Sequence, residues 1–277
     1  MPQNDRQYWA FIIYCGSIIH PRYNAGMNFV AFETSSDTIS IAVSCDGRVY
    51  AKGIVNAAKL NAELALPTMH ALMREAQLTM ADIDAVAFGQ GPGSFTGVRI
   101  ACGIAQGLAY GLGKRVCGVT SLRLLAEQVD AEYVITAIDA RMGEIYFAVY
   151  KKNRGASAGV DEVVAPQLVK PHDIASQLDS TLTYVAIGSA FDAVELSKPL
   201  LEALMPFTLE IIHGAFPRAT DLIAIATSQF NALGVASFLA PEDAAPLYLR
   251  NNVAMTIAER TQFHADKKAK LAESASA

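Results

Sequence analysis

The chain has 277 residues, 52% hydrophobic and 18% charged, with a mean hydropathy of +0.26. These values exclude a disordered chain, and the length suits two domains of roughly 100–150 residues each. Four widely spaced cysteines with no C-x-x-C pair exclude a disulfide mini-protein and argue against a zinc knuckle or a thioredoxin-type motif. A formal net charge of −5 argues against a main nucleic-acid-gripping surface, because phosphate neutralisation supplies most of such affinity.

Residues 8–19 (YWAFIIYCGSII) are an apolar run too short for a membrane span, which needs roughly 20 residues. They also lack the basic flank and cleavage site of a signal peptide. Residues 1–26 are therefore read as an N-terminal extension outside the fold. From Met27 the expected strands are 29–33, 38–45 and 49–55, an antiparallel meander with a tight turn at Asp46-Gly47. Residues 60–76 read as a helix with Leu60, Leu64, Met69, Leu72 and Met73 on its apolar face, kinked or broken by Pro67. A buried strand at 84–88, a glycine loop, a helix to Leu112, a strand at 115–119 and a helix at 122–129 follow. A weaker copy of the pattern then starts. Its strands are expected at 133–139, 144–150, 160–169 and 183–187, and its helices at 171–178, 192–205 and 219–233. A last strand is expected at 246–250 and a frayed or disordered tail beyond Thr256. Strand–helix alternation after a meander implies an α/β fold with mixed sheets.

The segment GQGPGSFTGVRIACGIAQGLAYGLG, residues 89–113, carries the strongest local signal. Gly91, Pro92 and Gly93 set a tight turn, and Ser94 or Thr96 caps the helix. Such a helix start can bind an anion or can simply let a strand enter a helix. It is neither a Walker loop nor G-x-G-x-x-G. Along the helix, Gly103, Gly107 and Gly111 share one face, while Gly97, Ala101, Ala105 and Ala109 make a second small row. Each interior glycine costs about 0.8–1 kcal/mol relative to alanine. Close approach of a neighbour, either this chain's own sheet or a partner's helix, would offset that cost.

The blocks GPGSFTGVRIACGIAQGLA, IDARMGEIYFAVY and PLYLRNNVA resemble, in order, the TsaB (YeaZ) family. These are bacterial accessory proteins of tRNA threonylcarbamoyladenosine synthesis. The resemblance runs from about residue 27 to 254. It implies an actin/Hsp70/sugar-kinase-like (ASKHA) fold of two related lobes with mixed β-sheets flanked by helices. Lobe I is expected at 27–118 plus 216–254, lobe II at 119–215, and a flexible tail at 255–277. It also implies a non-catalytic cytoplasmic subunit that dimerises with and stabilises a TsaD-type catalytic subunit. A TsaE-type ATPase would join them, tRNA would be met only indirectly, and the isolated chain would form a homodimer away from membranes. The alternatives are an ATP-dependent kinase-like enzyme and an M22-type metallopeptidase.

The resemblance places the partner interface on the two helices of the first half, at Leu64, Thr68, Leu72, Arg99, Gly103, Gly107 and Gly111. A vestigial nucleotide cleft would gather Glu33, Thr34, Ser35, Gly91, Gly93, Ser94, Asp139 and Arg141. Glu33 and Asp37 could hold Mg²⁺ through water, with a polar turn as the favoured reading. Asp139, Arg141 and Glu144 could do acid–base work, with a structural turn or partner contact favoured. Tyr248 and Arg250 would dock the last strand or reach a partner. The metal-binding histidine pair of the catalytic relative falls here at Ser121 and Leu125, and leucine has no lone pair to give. The five histidines make no i, i+4 pair, and His70 reads as a surface or interface residue. The histidine many family members carry before the first helix is missing from Ala57-Ala58-Lys59-Leu60-Asn61. No metal, cofactor or catalytic residue is expected.

Overall fold

Strand β1 (Ile12–Ile19) opens the computed structural model, which describes residues 12–19, 26–55, 61–153 and 159–250. Strands β2 (Phe29–Glu33), β3 (Ile39–Cys45) and β4 (Arg48–Ile54) form the antiparallel meander. Asp46 and Gly47 both take positive φ (48° and 76°), matching the right-handed strand twist. Next come α1 (Asn61–Glu75), β5 (Ala85–Gly91), α2 (Phe95–Leu112), β6 (Arg115–Thr120) and α3 (Ser121–Glu127). Strands β7 (Tyr133–Asp139), β8 (Ile145–Asn153), β9 (Gly159–Val169) and β10 (Thr183–Ile187) precede α4 (Val194–Leu204), β11 (Thr208–Ile212) and α5 (Ala219–Leu233).

The strands build two sheets. The first has the order β1-β4-β3-β2-β5-β6 and the second β11-β10-β7-β8-β9. With β1 set aside, both follow one plan. A first strand is flanked antiparallel by the second and third, and parallel by the fourth and fifth. Strand β2 shows how the layers form. Its five residues are all buried, and their period of two splits them between faces. Val30 and Phe32 meet Met69 and Leu72 of α1 and Ala101 and Ala105 of α2, while Phe29 and Ala31 meet Leu222, Ile223 and Ala226 of α5. In the second sheet, Ile135 and Phe147 face Leu196 and Leu200 of α4, and Val134 and Ala148 face Leu122 and Leu125 of α3. Ser40 of β3 accepts the Ala219 N–H (2.9 Å), satisfying a donor at the start of α5. The described residues up to Leu247 form one compact unit.

Several expectations are corrected. Residues 12–19, placed outside the fold, pair antiparallel with β4, an edge with open N–H and C=O groups that an uncharged apolar run can satisfy. Pro67 does not break helix α1, the second of the two outcomes expected of it. Glu63 and Pro67 are exposed, so the carbonyl left without its donor can turn to water. Residues 171–177 are 3₁₀ turns, and a 3₁₀ turn at 189–191 precedes α4, which starts only at Val194. Strand β11 was not expected, because its half-exposed TLEII carries too short a pattern. Residues 246–250 form no strand; there, the Leu247 N–H bonds the Gln90 carbonyl (2.8 Å). Residues 251–277, with the expected tail, lie outside the described residues, as do 56–60.

Candidate functional site

The glycine loop between β5 and α2 is packed against the end of β2. Glu33 is fully buried and accepts the Ser35 N–H (2.6 Å). Ser121 at the start of α3 donates to its other oxygen (3.4 Å) and pairs with the Ser35 hydroxyl (2.8 Å). Burial pushes the Glu33 carboxyl above the usual carboxylate range, and the hydrogen bonds from Ser35 and Ser121 offset this only in part. The Ser94 N–H donates to the Ser35 carbonyl (2.7 Å), and the Thr34 hydroxyl donates to the Gly97 carbonyl (2.6 Å). A Cβ on Gly97 would fall 1.8 Å from the Thr34 carbonyl oxygen, and one on Gly93 2.4 Å from that of Ser35. These glycines therefore let two backbones touch. Gly91 adopts φ +86°, which favours glycine. The Ser94 hydroxyl takes the Gly97 N–H (3.3 Å), one of the donors an anion would have used.

The structure thus brings Glu33, Thr34, Ser35, Gly91, Gly93 and Ser94 together, but as a mutually filled cluster. The expectation that Glu33 faces a nucleotide or shares Mg²⁺ with Asp37 is corrected: Glu33 points inward, whereas Asp37 is exposed. Asp139 and Arg141 lie on the β7–β8 turn of the second sheet. The Asp139 carboxylate accepts the Arg141 N–H (2.7 Å) and Nη1 (2.9 Å), and its own N–H bonds Ser189. Arg141, Met142 and Gly143 all have positive φ, so Asp139 clamps a tight left-handed turn. The pair Ser121 and Leu125 does other work. Ser121 closes on Glu33, and Leu125 is fully buried under the second sheet. Among the described residues, no three His, Cys, Asp or Glu side chains are grouped to hold a metal, and no helix is long and apolar enough to cross a membrane.

Helix α2 turns its two small rows in opposite directions. Gly97, Ala101, Ala105 and Ala109 are buried against the sheet. Gly103, Gly107 and Gly111 are exposed, and a Cβ on any of them would meet none of the described residues within 4 Å. Beside this bare row, the Arg99 guanidinium lies 3.6 Å over the Phe95 ring. Phe95 and Tyr110 are exposed by 42% and 78%. On α1 the expectation needs correcting. Leu72 (2% exposed) and Thr68 (8%) point into the core, and Leu64 packs partly against it. Leu66, Pro67 and His70 are among the residues α1 does present, with Glu63 and Arg74 nearer its ends. Sequence reasoning missed Leu66, Phe95 and Tyr110 because apolar residues at helical spacing read first as core.

Two sheets of one strand order, linked in a single compact unit, define an actin/Hsp70/sugar-kinase-like protein. The family model described as "TsaD: tRNA N6-adenosine threonylcarbamoyltransferase" matches residues 52–263. The Escherichia coli K12 tRNA threonylcarbamoyladenosine biosynthesis protein TsaB is 34% identical, over 82% of this chain and 96% of that protein. TsaB of Haemophilus influenzae is 30% identical, over 82% and 95%. A Pseudomonas aeruginosa crystal structure, of a protein with similarity to the peptidase YeaZ, superposes with a TM-score of 0.72 at 30% identity, covering 81% of this chain and all of that one. The chain belongs to the TsaB (YeaZ) family.

Proposed function

We propose that this protein takes part in tRNA threonylcarbamoyladenosine biosynthesis as a non-catalytic subunit. It dimerises through the outer face of α1 and α2 with a TsaD-type catalytic subunit, which it stabilises and orients. The carrying observation is the bare row on α2. Three exposed glycines forgo about 2–3 kcal/mol of helix stability relative to alanine, and none of the described residues uses the space they leave. A partner helix lying close along Gly103, Gly107 and Gly111 gives that space a use, with Leu66, Phe95, Arg99 and Tyr110 as flanking anchors. In isolation a second copy covers the same face. A TsaE-type ATPase joins the assembly in the cytoplasm. The net charge of −5 fits a subunit that meets tRNA only indirectly.

The cluster around Glu33 supports the non-catalytic reading, since its polar groups are spent on one another. The test is reconstitution with a TsaD-type subunit. Each protein alone should fail to modify tRNA, and the pair, with the adenylate substrate supplied, should succeed. Modification by this chain alone, or ATP turnover dependent on a metal, would overturn the proposal in favour of a kinase-like or M22-type enzyme.

A further inference from the structure

Helix α2 is poorly supported by its own sequence. It carries four glycines in 18 residues, with no acidic residue in its first turn and no basic residue in its last to complement the helix dipole. Packing must supply what propensity does not. Ala101, Ala105 and Ala109 hold its inner side against the sheet, and Ile104 and Leu108 settle one flank into the core that Met69 and Leu72 of α1 share. Cys102 and Gln106 lie on the other flank, one position on from Ala101 and Ala105. There the segment 238–247 does the packing. Ala244 is buried, and its carbonyl accepts from Gln106 Nε2 (3.0 Å) and the Cys102 thiol (3.5 Å).

Both ends of this segment are tied to the first sheet. Val116 of β6 and Leu239 exchange two backbone bonds (3.0 and 2.8 Å), and Arg115 Nη1 donates to the Phe238 carbonyl (3.1 Å). At the far end the Leu247 N–H donates to the Gln90 carbonyl (2.8 Å), and Gln90 Nε2 donates back to the Ala245 carbonyl (3.3 Å). Gln90 crosses to the segment over Gly118 of β6, where a Cβ would fall 2.6 Å from its Cδ. Side chains of β5, α2 and β6 thus converge on one short segment.

We propose that residues 238–247 are a brace that holds α2 in its docking pose, with Gln106 and Gln90 as the positioning residues. This role rests on the glycine row being the face that meets a TsaD-type subunit. A braced helix is ordered before the partner arrives, so less ordering entropy is lost on binding. Gln106 directly precedes Gly107, so the hold falls at the centre of the bare row.

Native-state hydrogen exchange on the full chain, below self-association, and titration calorimetry against a TsaD-type subunit test this. Gln106→Met keeps the length and removes the donor. In the free chain it should lower protection of amides at 103–112 by about tenfold relative to those of β2, and it should weaken partner binding by a similar factor. Gln106→Lys, which restores a donor, should recover most of both. Gly118→Ala displaces Gln90 without altering α2; it should act in the same direction and serves if Gln106→Met does not fold. Weaker binding with unchanged α2 protection would make Gln106 a direct contact and overturn the brace, as would an equal fall at β2 or unchanged affinity in both folded variants. Gly107→Leu separates the two readings. If it abolishes binding while Gln106→Met leaves binding intact, the brace alone fails. If it leaves binding intact, the docking face fails and takes the brace's role with it.

Discussion

Replacing Gly107 by leucine should move stability and association in opposite directions. Gly107 lies in the middle of α2, and a Cβ there meets none of the described residues within 4 Å. The added side chain projects into solvent in the free chain. Leucine is a better helix former than glycine by about 0.6–1 kcal/mol, and for a chain of this size that raises Tm by roughly 2–4 °C. In the complex the same side chain stands where a partner backbone should approach. Loss of contact along three turns should weaken binding by a hundredfold or more, about 3 kcal/mol. Thermal melts at concentrations below self-association measure the first effect, and titration calorimetry against a TsaD-type subunit measures the second. A lower Tm would show that the row is packed within the chain, and unchanged affinity would refute its role as the contact.

Gly97→Ala should do the reverse, costing at least about 1–3 kcal/mol in a denaturant titration, because its Cβ would overlap the Thr34 carbonyl. Leu72→Ala should cost about 2–5 kcal/mol of stability by opening the first core, whereas Leu66→Ala should leave the melt within about 0.5 kcal/mol and weaken partner binding. For Glu33, whose folded carboxyl is raised by burial, stability is greatest at low pH and falls as pH rises from the usual carboxylate range through the raised value. Glu33→Gln should remove that part of the pH dependence, leaving the variant relatively more stable at high pH; parallel curves for the two proteins would contradict it.

The fold was legible wherever one periodicity dominated. The meander, the glycine loop after a buried strand, and α2 and α5 all follow from local pattern and turn chemistry. Strand β1 was not legible, because an apolar run without a visible partner reads as an extension until the open edge of β4 is known. The candidate site was half legible. Helical spacing put Gly103, Gly107 and Gly111 on one face and the alanine row on another. It did not say which row meets the sheet, since both are small and either could seat a close neighbour. Leu72 shows the same ambiguity, because an apolar residue on an amphipathic helix serves a core or an interface equally well by pattern.

What the sequence alone determined was the family and the type of each half, through motifs in a fixed order. The tertiary structure decided direction. It buried Glu33 against Ser121, 88 residues away, and turned the bare glycine row outward. Such choices depend on which surfaces from distant parts of the chain arrive at the same place, and local periodicity carries no information about that.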